Sequence, residues 1–153
     1  MVALLFEVAG QRYGLDIAQV VKVLPCVRLH RLPHAPEYVA GVFRYHDAMV
    51  PVIDLSQIIR GTPVKPLLST RIILVQHPGP WGPGKVLGLL AERATDSLDD
   101  AGGAEPVSSG VAVPDAPYLG GLSVSGGSMI QYVKVENLLP DDVRERLFAE
   151  NPA

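Results

Sequence analysis

The chain has 153 residues, enough for one compact domain or two small lobes sharing a core. Hydrophobic residues make up 48% of it, which excludes a disordered polymer. The formal net charge is −3, from 13 basic and 16 acidic residues with no basic run longer than a pair, and this argues against a nucleic-acid backbone as partner. One cysteine, Cys26, cannot form an internal disulfide, so nothing calls for an oxidising compartment.

Residues 2–8 read as a strand, with Ala9-Gly10-Gln11-Arg12 as the turn into a second strand at Tyr13-Gly14-Leu15. Glu7 interrupts this apolar start and no basic residue precedes it, so a secretory leader is not expected here. No stretch reaches the length that crosses a bilayer, and the expectation is a soluble, cytoplasmic protein. Asp16 is placed to cap a short helix carrying Ile17, Val20, Val21 and Leu24, whose spacings of three and four share one face, until Pro25 ends it. Residues 26–32 read as a strand, with Val27 and Leu29 on one face and Arg28 and His30 on the other. A hairpin follows over residues 39–55, turning at Arg44-Tyr45-His46-Asp47, with Pro51 confined to an edge or a bulge because it lacks an amide donor. A single helical turn at residues 56–60 stops at Gly61, and residues 60–69 read as the connection between two lobes.

Further on, Arg71 to Gln76 is a strand, and Val86-Leu87-Gly88-Leu89-Leu90 matches the Tyr13-Gly14-Leu15 strand, with Gly88 aligned to Gly14 at a shift of 74. Residues 91–98 then match the segment 17–24. The polar stretch 99–110 is expected to be mobile. Tyr118-Leu119-Gly120-Gly121-Leu122, with Met129-Ile130 and Leu138-Leu139 after it, repeats Tyr38-Val39-Ala40-Gly41-Val42, Met49-Val50 and Ile58-Ile59 at a constant shift of 80. Such a repeat means one supersecondary unit built twice and packed against itself. Pro140-Asp141-Asp142 opens a last short helix.

Chemical signatures are sparse. Cys26, His30 and His34 recur at intervals of four, but Pro25 and Pro33 flank them and strand spacing would spread them too far for one ion. Asp47 and Asp54 have no accompanying nucleophile or phosphate-loop signature, so no catalytic residue, metal or cofactor is expected. Asp54 aligns with Lys134 in the repeat and reads as a cap on the turn at 56–60 or as a local hydrogen-bonding group. The loop His77-Pro78-Gly79-Pro80-Trp81-Gly82-Pro83-Gly84 excludes regular strand and places Trp81 on a protrusion, where it is a candidate partner anchor.

Tyr13-Gly14-Leu15-Asp16-Ile17, Arg31-Leu32-Pro33, Ala35-Pro36, Gly41-Val42, Val50-Pro51-Val52-Ile53-Asp54-Leu55, Arg71-Ile72-Ile73-Leu74-Val75, Gly88-Leu89-Leu90 and Tyr118-Leu119-Gly120-Gly121-Leu122 occur in that order. Together they resemble the CheW family of chemotaxis adaptor proteins, over roughly residues 2–140. The resemblance implies a mostly β fold: two SH3-like five-stranded β-barrel lobes with short helices around an apolar seam. Within a single domain over 1–153, lobe one would span about 10–65, lobe two about 66–140, and a closing helix 140–149. It also implies a non-catalytic scaffold that couples the cytoplasmic tips of methyl-accepting chemoreceptors to the regulatory domain of a CheA-type histidine kinase. The membrane would be reached only through the receptors, and the two lobes would permit self-association.

The positions expected to contact partners are Val20, Lys22, Gly41, Arg44, Tyr45, His46, Asp47 and Trp81. For Val21 and Leu24, a receptor groove and plain core packing both remain open. The family's Asn-Leu-Arg-Gly turn is here Arg44-Tyr45-His46-Asp47, so His46 stands where the family has a receptor-contacting arginine, and Lys22 where an acidic residue is common. This variant turn is more similar to adaptors of accessory pathways that control surface attachment. The competing reading is a small-molecule or nucleic-acid binding module on SH3-like barrels; the lack of interleaved basic and aromatic residues counts against RNA.

Overall fold

The computed structural model describes residues 2–65, 67–76, 85–99, 115–125 and 128–148. Among these, nine strands carry the fold: β1 Val2–Val8, β2 Gln11–Asp16, β3 Val20–Pro25, β4 Val39–Tyr45, β5 Ala48–Asp54, β6 Thr70–Gln76, β7 Val86–Asp99, β8 Leu119–Ser125 and β9 Ser128–Val133. The helices are short: α1 Leu55–Arg60, α2 Asp141–Phe148, and the 3-10 turns Ile17–Gln19 and Val135–Asn137. Among the described residues, no helix is long and apolar enough to cross a membrane. Trp81, and the stretch 99–110 beyond Asp99, lie outside the described residues.

Strand pairing builds two five-stranded barrel lobes that share β7. One holds β3, β6, the first part of β7, β5 and β4. The other holds the last part of β7, β1, β2, β9 and β8. The handover occurs at Arg93, whose φ of 51° bends the strand. Before it, Glu92 pairs with Thr70 of β6; after it, Asp96 pairs with Leu5 of β1. Residues 91–98, matched in sequence to the turn after β2, are thus part of one continuous 14-residue strand.

The two sequence repeats are crossed. Gly14 of β2 lies beside Tyr132 of β9, in parallel register, and Gly88 of β7 lies beside Val52 of β5 in the same way. Each barrel therefore takes its opening strand pair from one repeat and its closing hairpin from the other. The two barrels are not the consecutive segments 10–65 and 66–140: β1 and β2 belong with β8 and β9, and residues 61–69 connect two elements of the same lobe. Gly14 and Gly88 share one packing reason at this crossing. A Cβ on Gly88 would come within 3.0 Å of Val52 Cγ2, and one on Gly14 within 3.3 Å of Ile130 Cγ2.

Alternation along each strand feeds two cores at once, because both faces are covered. Leu4, Phe6 and Val8 of β1, Ile73 and Val75 of β6, and Leu87 and Leu89 of β7 point into a central seam, joined there by Ile53, Leu55, Val133, Val135, Leu138 and Leu139. Their neighbours point the other way. Ile72, Leu74, Leu90, Val50 and Val52 fill barrel one, and Ala3, Leu5, Ile130 and Tyr132 fill barrel two. Residues related by the shift of 80 hold the same places: Val50 and Ile130 inside their barrels, Ile53 and Val133 in the seam. The tandem-barrel architecture around an apolar joint is the one that the family resemblance implies.

Two local expectations give way. The segment 20–24 is strand β3, and only Ile17–Gln19 turns, capped by Asp16, whose Oδ1 accepts the Ala18 amide at 3.0 Å. A β-bulge explains the misleading spacing: Val20 pairs with Val75 and Lys22 with Leu74, so Val21 is the extra residue. The bulge sends Val20 and Val23 to the seam, Leu24 toward barrel one and Val21 to the surface, so the residues spaced as on a helix share no face. Residues 26–32 form no strand; His30 alone makes a bridge to Val42. Pro51 sits on β5 opposite Val42, one residue before β7 joins at Val52, where no amide is required of it.

Candidate docking surface

The β4–β5 hairpin closes through two residues only. Tyr45 pairs with Ala48 and Arg44 with Met49, so Arg44 and Tyr45 are strand residues and His46 and Asp47 form the loop. His46 takes φ 53°, the left-handed conformation that tight hairpin turns require and that glycine usually supplies. Arg44 ties the turn together: its Nε donates to the His46 carbonyl oxygen at 3.1 Å, and its guanidinium lies 3.6 Å from the Asp47 carboxylate. Both side chains of that ion pair are largely exposed, so it shapes the turn more than it stabilises it. The Tyr45 ring meets His46 edge-on at 4.3 Å and Phe43 at 6.4 Å, while its body packs on the interior of barrel one. The result is an aromatic and charged tip on a rigid strand pair.

Val20, Val21 and Lys22 belong to the same end of the same barrel. A crosswise row runs Lys22, Leu74, Gly88, Val52, Gly41 through β3, β6, β7, β5 and β4. Since β3 runs in the direction of β5, the start of β3 and the β4–β5 tip lie at the same end of barrel one. Val20 is half-buried against the seam, whereas Val21 is 44% exposed and Lys22 is fully at the surface. The bulge that expels Val21 is what presents it. Leu24 is half-buried against the interior of barrel one.

Gly41 occupies a different place from the other candidates. It is buried, and a Cβ there would stand 2.5 Å from the His30 carbonyl oxygen. Its role is to admit the 29–30 backbone against β4, behind the surface. Cys26, His30 and His34 are all exposed and do not converge; among the described residues no three side chains gather as a metal site.

Asp54 is a structural residue. Buried at the end of β5, it accepts the amides of Ser56 at 3.0 Å and Gln57 at 3.3 Å through Oδ1, and that of Val64 at 2.9 Å through Oδ2. It thereby caps α1 and fastens the chain that follows.

Two features went unread in the sequence. The β8–β9 hairpin of barrel two exposes Val124 and Met129, a cross-strand pair at 63% and 64% exposure. They stand at the shift of 80 from Arg44 and Met49, and Met49 is 62% exposed. The shared Met was visible in the repeat, but only the hairpin register shows that both point outward. Second, a cleft of about 290 Å³ opens where the turn after β2 meets barrel two, lined by Asp16, Gln19, Gly120, Gly121, Tyr132, Val133, Lys134 and Glu136. Gln19 leads directly into Val20, so cleft and bulge adjoin.

Comparison with known proteins identifies the family. A family model described as a CheW-like domain matches residues 2–143. The chemotaxis protein CheW of Rhizobium meliloti (strain 1021) is 26% identical over 141 residues, covering 92% of this chain and 88% of its own. Chemotaxis protein CheW of Klebsiella aerogenes is 26% identical over 140 residues, covering 91% and 81%. The crystal structure of the scaffolding protein TtCheW from Thermoanaerobacter tengcongensis superimposes with a TM-score of 0.76 at 24% identity, over 93% of this chain and 89% of that one, a likeness of fold. With the family model spanning nearly the whole chain and the crossed double barrel in place, this protein belongs to the CheW-like domain family.

Proposed function

We propose that the chain is a non-catalytic adaptor coupling the cytoplasmic tip of a chemoreceptor to the regulatory domain of a CheA-type histidine kinase. The family is one of chemotaxis scaffolds, and the observation that carries the finer reading is where the exposed side chains lie. Val21 and Lys22 near the start of β3 and Arg44, His46 and Asp47 at the β4–β5 tip are all exposed on strand ends of barrel one that point the same way, and Gln19 of the cleft leads directly into Val20. That end would receive a receptor helix, since helix-in-groove recognition needs an exposed apolar strip with a polar rim. The exposed Val124–Met129 pair on barrel two would pack end-to-end with a lobe of the kinase domain. Two similar but differently surfaced ends also suit head-to-tail assembly, including of this chain with itself.

Affinity capture tests the reading. The tagged protein, mixed with a kinase regulatory domain and a receptor-tip fragment from the same organism, should retain both together. Retention of neither would sink it. The cleft keeps a second reading, a small-molecule module, in view. Its volume lies just under the range of ligand pockets, and Asp16, Lys134 and Glu136 put three charged side chains on its lining.

A further inference from the structure

The repeat breaks most sharply where Asp54 is replaced by Lys134, and the structure shows what the exchange does. In barrel one the Asp54 carboxylate is consumed by three amides. In barrel two Lys134 has no acceptor role to play: the 3-10 turn Val135–Asn137 that it precedes carries no side-chain cap. Its stem lies along Gly120, and its ammonium has no ion-pair partner among the described residues. The parallel pairing of β2 with β9 runs as far as Gly14 beside Tyr132, and Asp16 and Lys134 each follow two residues further along their own segments. Only one Asp16 oxygen is engaged, by the Ala18 amide. Both side chains line the same cleft, with Gln19 between them and Val20, and they form no ion pair with each other.

We infer that Asp16 and Lys134 form a charge-reading subsite for a partner helix that carries an acidic and a basic side chain one turn apart. Neighbouring strands are about 4.8 Å apart, and side chains at i and i+4 on a helix are about 5–6 Å apart, so one such pair meets both groups at once. The partner's carboxylate faces Lys134 and its cation faces Asp16. The inference rests on the receptor-helix reading above and names the chemistry that helix must present.

Titration calorimetry with a coiled-coil-stabilised receptor-tip fragment tests it. Asp16→Asn, which keeps the oxygen that caps the turn, and Lys134→Glu should each weaken binding about threefold at low salt, the scale of an exposed ion pair. The differences should shrink as salt rises. The decisive variant is the double change of Asp16→Asn with Lys134→Glu, which keeps the capping oxygen. If the two charges read a partner, the double variant binds worse than either single variant. Wild-type affinity in the double variant, or unchanged affinity in both single variants, would overturn the subsite. Failure of the unmodified protein to bind the fragment would instead remove the docking reading and this inference with it.

Discussion

Gly41 and His30 are locked across the open side of barrel one. His30 donates to the Val42 carbonyl oxygen at 2.9 Å and accepts the Val42 amide at 2.8 Å, and the place of a Cβ on Gly41 lies 2.5 Å from the His30 carbonyl oxygen. Gly41 also has φ +149°, inside the region side chains avoid. Gly41→Ala must therefore shift backbone against backbone as well as strain β4. The expected loss is about 2–4 kcal/mol in urea unfolding. A loss under about 0.5 kcal/mol would show that the 29–30 segment yields freely.

Asp54 holds three amides, and its loss should exceed that of an ordinary helix cap. Removing a cap costs about 0.5–2 kcal/mol, and leaving the Val64 amide unpaired adds about 1 kcal/mol or more. Asp54→Ala should thus unfold at clearly lower urea than wild type, with Asp54→Asn between them. Equal midpoints for Asn and Ala would mean that the second carboxylate oxygen carries most of the effect.

At the hairpin tip, stability and docking should move in opposite directions. His46 pays for its φ of 53° with conformational strain. His46→Gly relieves it and should stabilise the fold by up to about 1 kcal/mol. The same change removes the imidazole from the Tyr45 edge and should reduce receptor retention, as should Tyr45→Ala. Retention undiminished in both variants would take the tip out of the docking surface.

Two seam tyrosines should weaken the fold at alkaline pH. Burial raises the Tyr13 phenol above its ordinary value of 10.0, and burial followed by the neighbouring Tyr13 charge raises Tyr118. The unfolded chain then releases these protons at about pH 10 while the folded chain keeps them. Stability is complete below that pH and declines as pH rises through it toward the raised folded values. Tyr118→Phe should flatten this decline in denaturation series from pH 8 to about 11; a slope equal to wild type would assign alkaline unfolding to other groups.

Much of this fold is legible in the linear chain because its signals are local. Arg71-Ile72-Ile73-Leu74-Val75 must be a strand covered on both faces, since no one-sided sheet tolerates an unbroken apolar run. Asp54 before Leu55-Ser56-Gln57 must cap, because its carboxylate reaches those amides without help from elsewhere. The repeat at a shift of 80 announces two equivalent hairpins by chemistry alone. The candidate tip at Arg44-Tyr45-His46-Asp47 was likewise visible, as turn residues joining two strands.

What the chain could not disclose is which copy's strands pair with which. Gly14 fits beside Val52 or Tyr132 on local grounds, and the choice of Tyr132 follows from how the whole seam closes around β7. The bulge at Val21 belongs to the same class: it exists only against β6, and without that partner the spacing of Val20, Val21 and Leu24 favours helix. The cleft holding Asp16 and Lys134 is likewise a product of the crossing, which sets a residue of the first repeat beside one from the second. Local covalent geometry and hydrogen bonding fix elements and caps; partners distant in sequence are chosen by burial of the common core, a property of the assembled molecule.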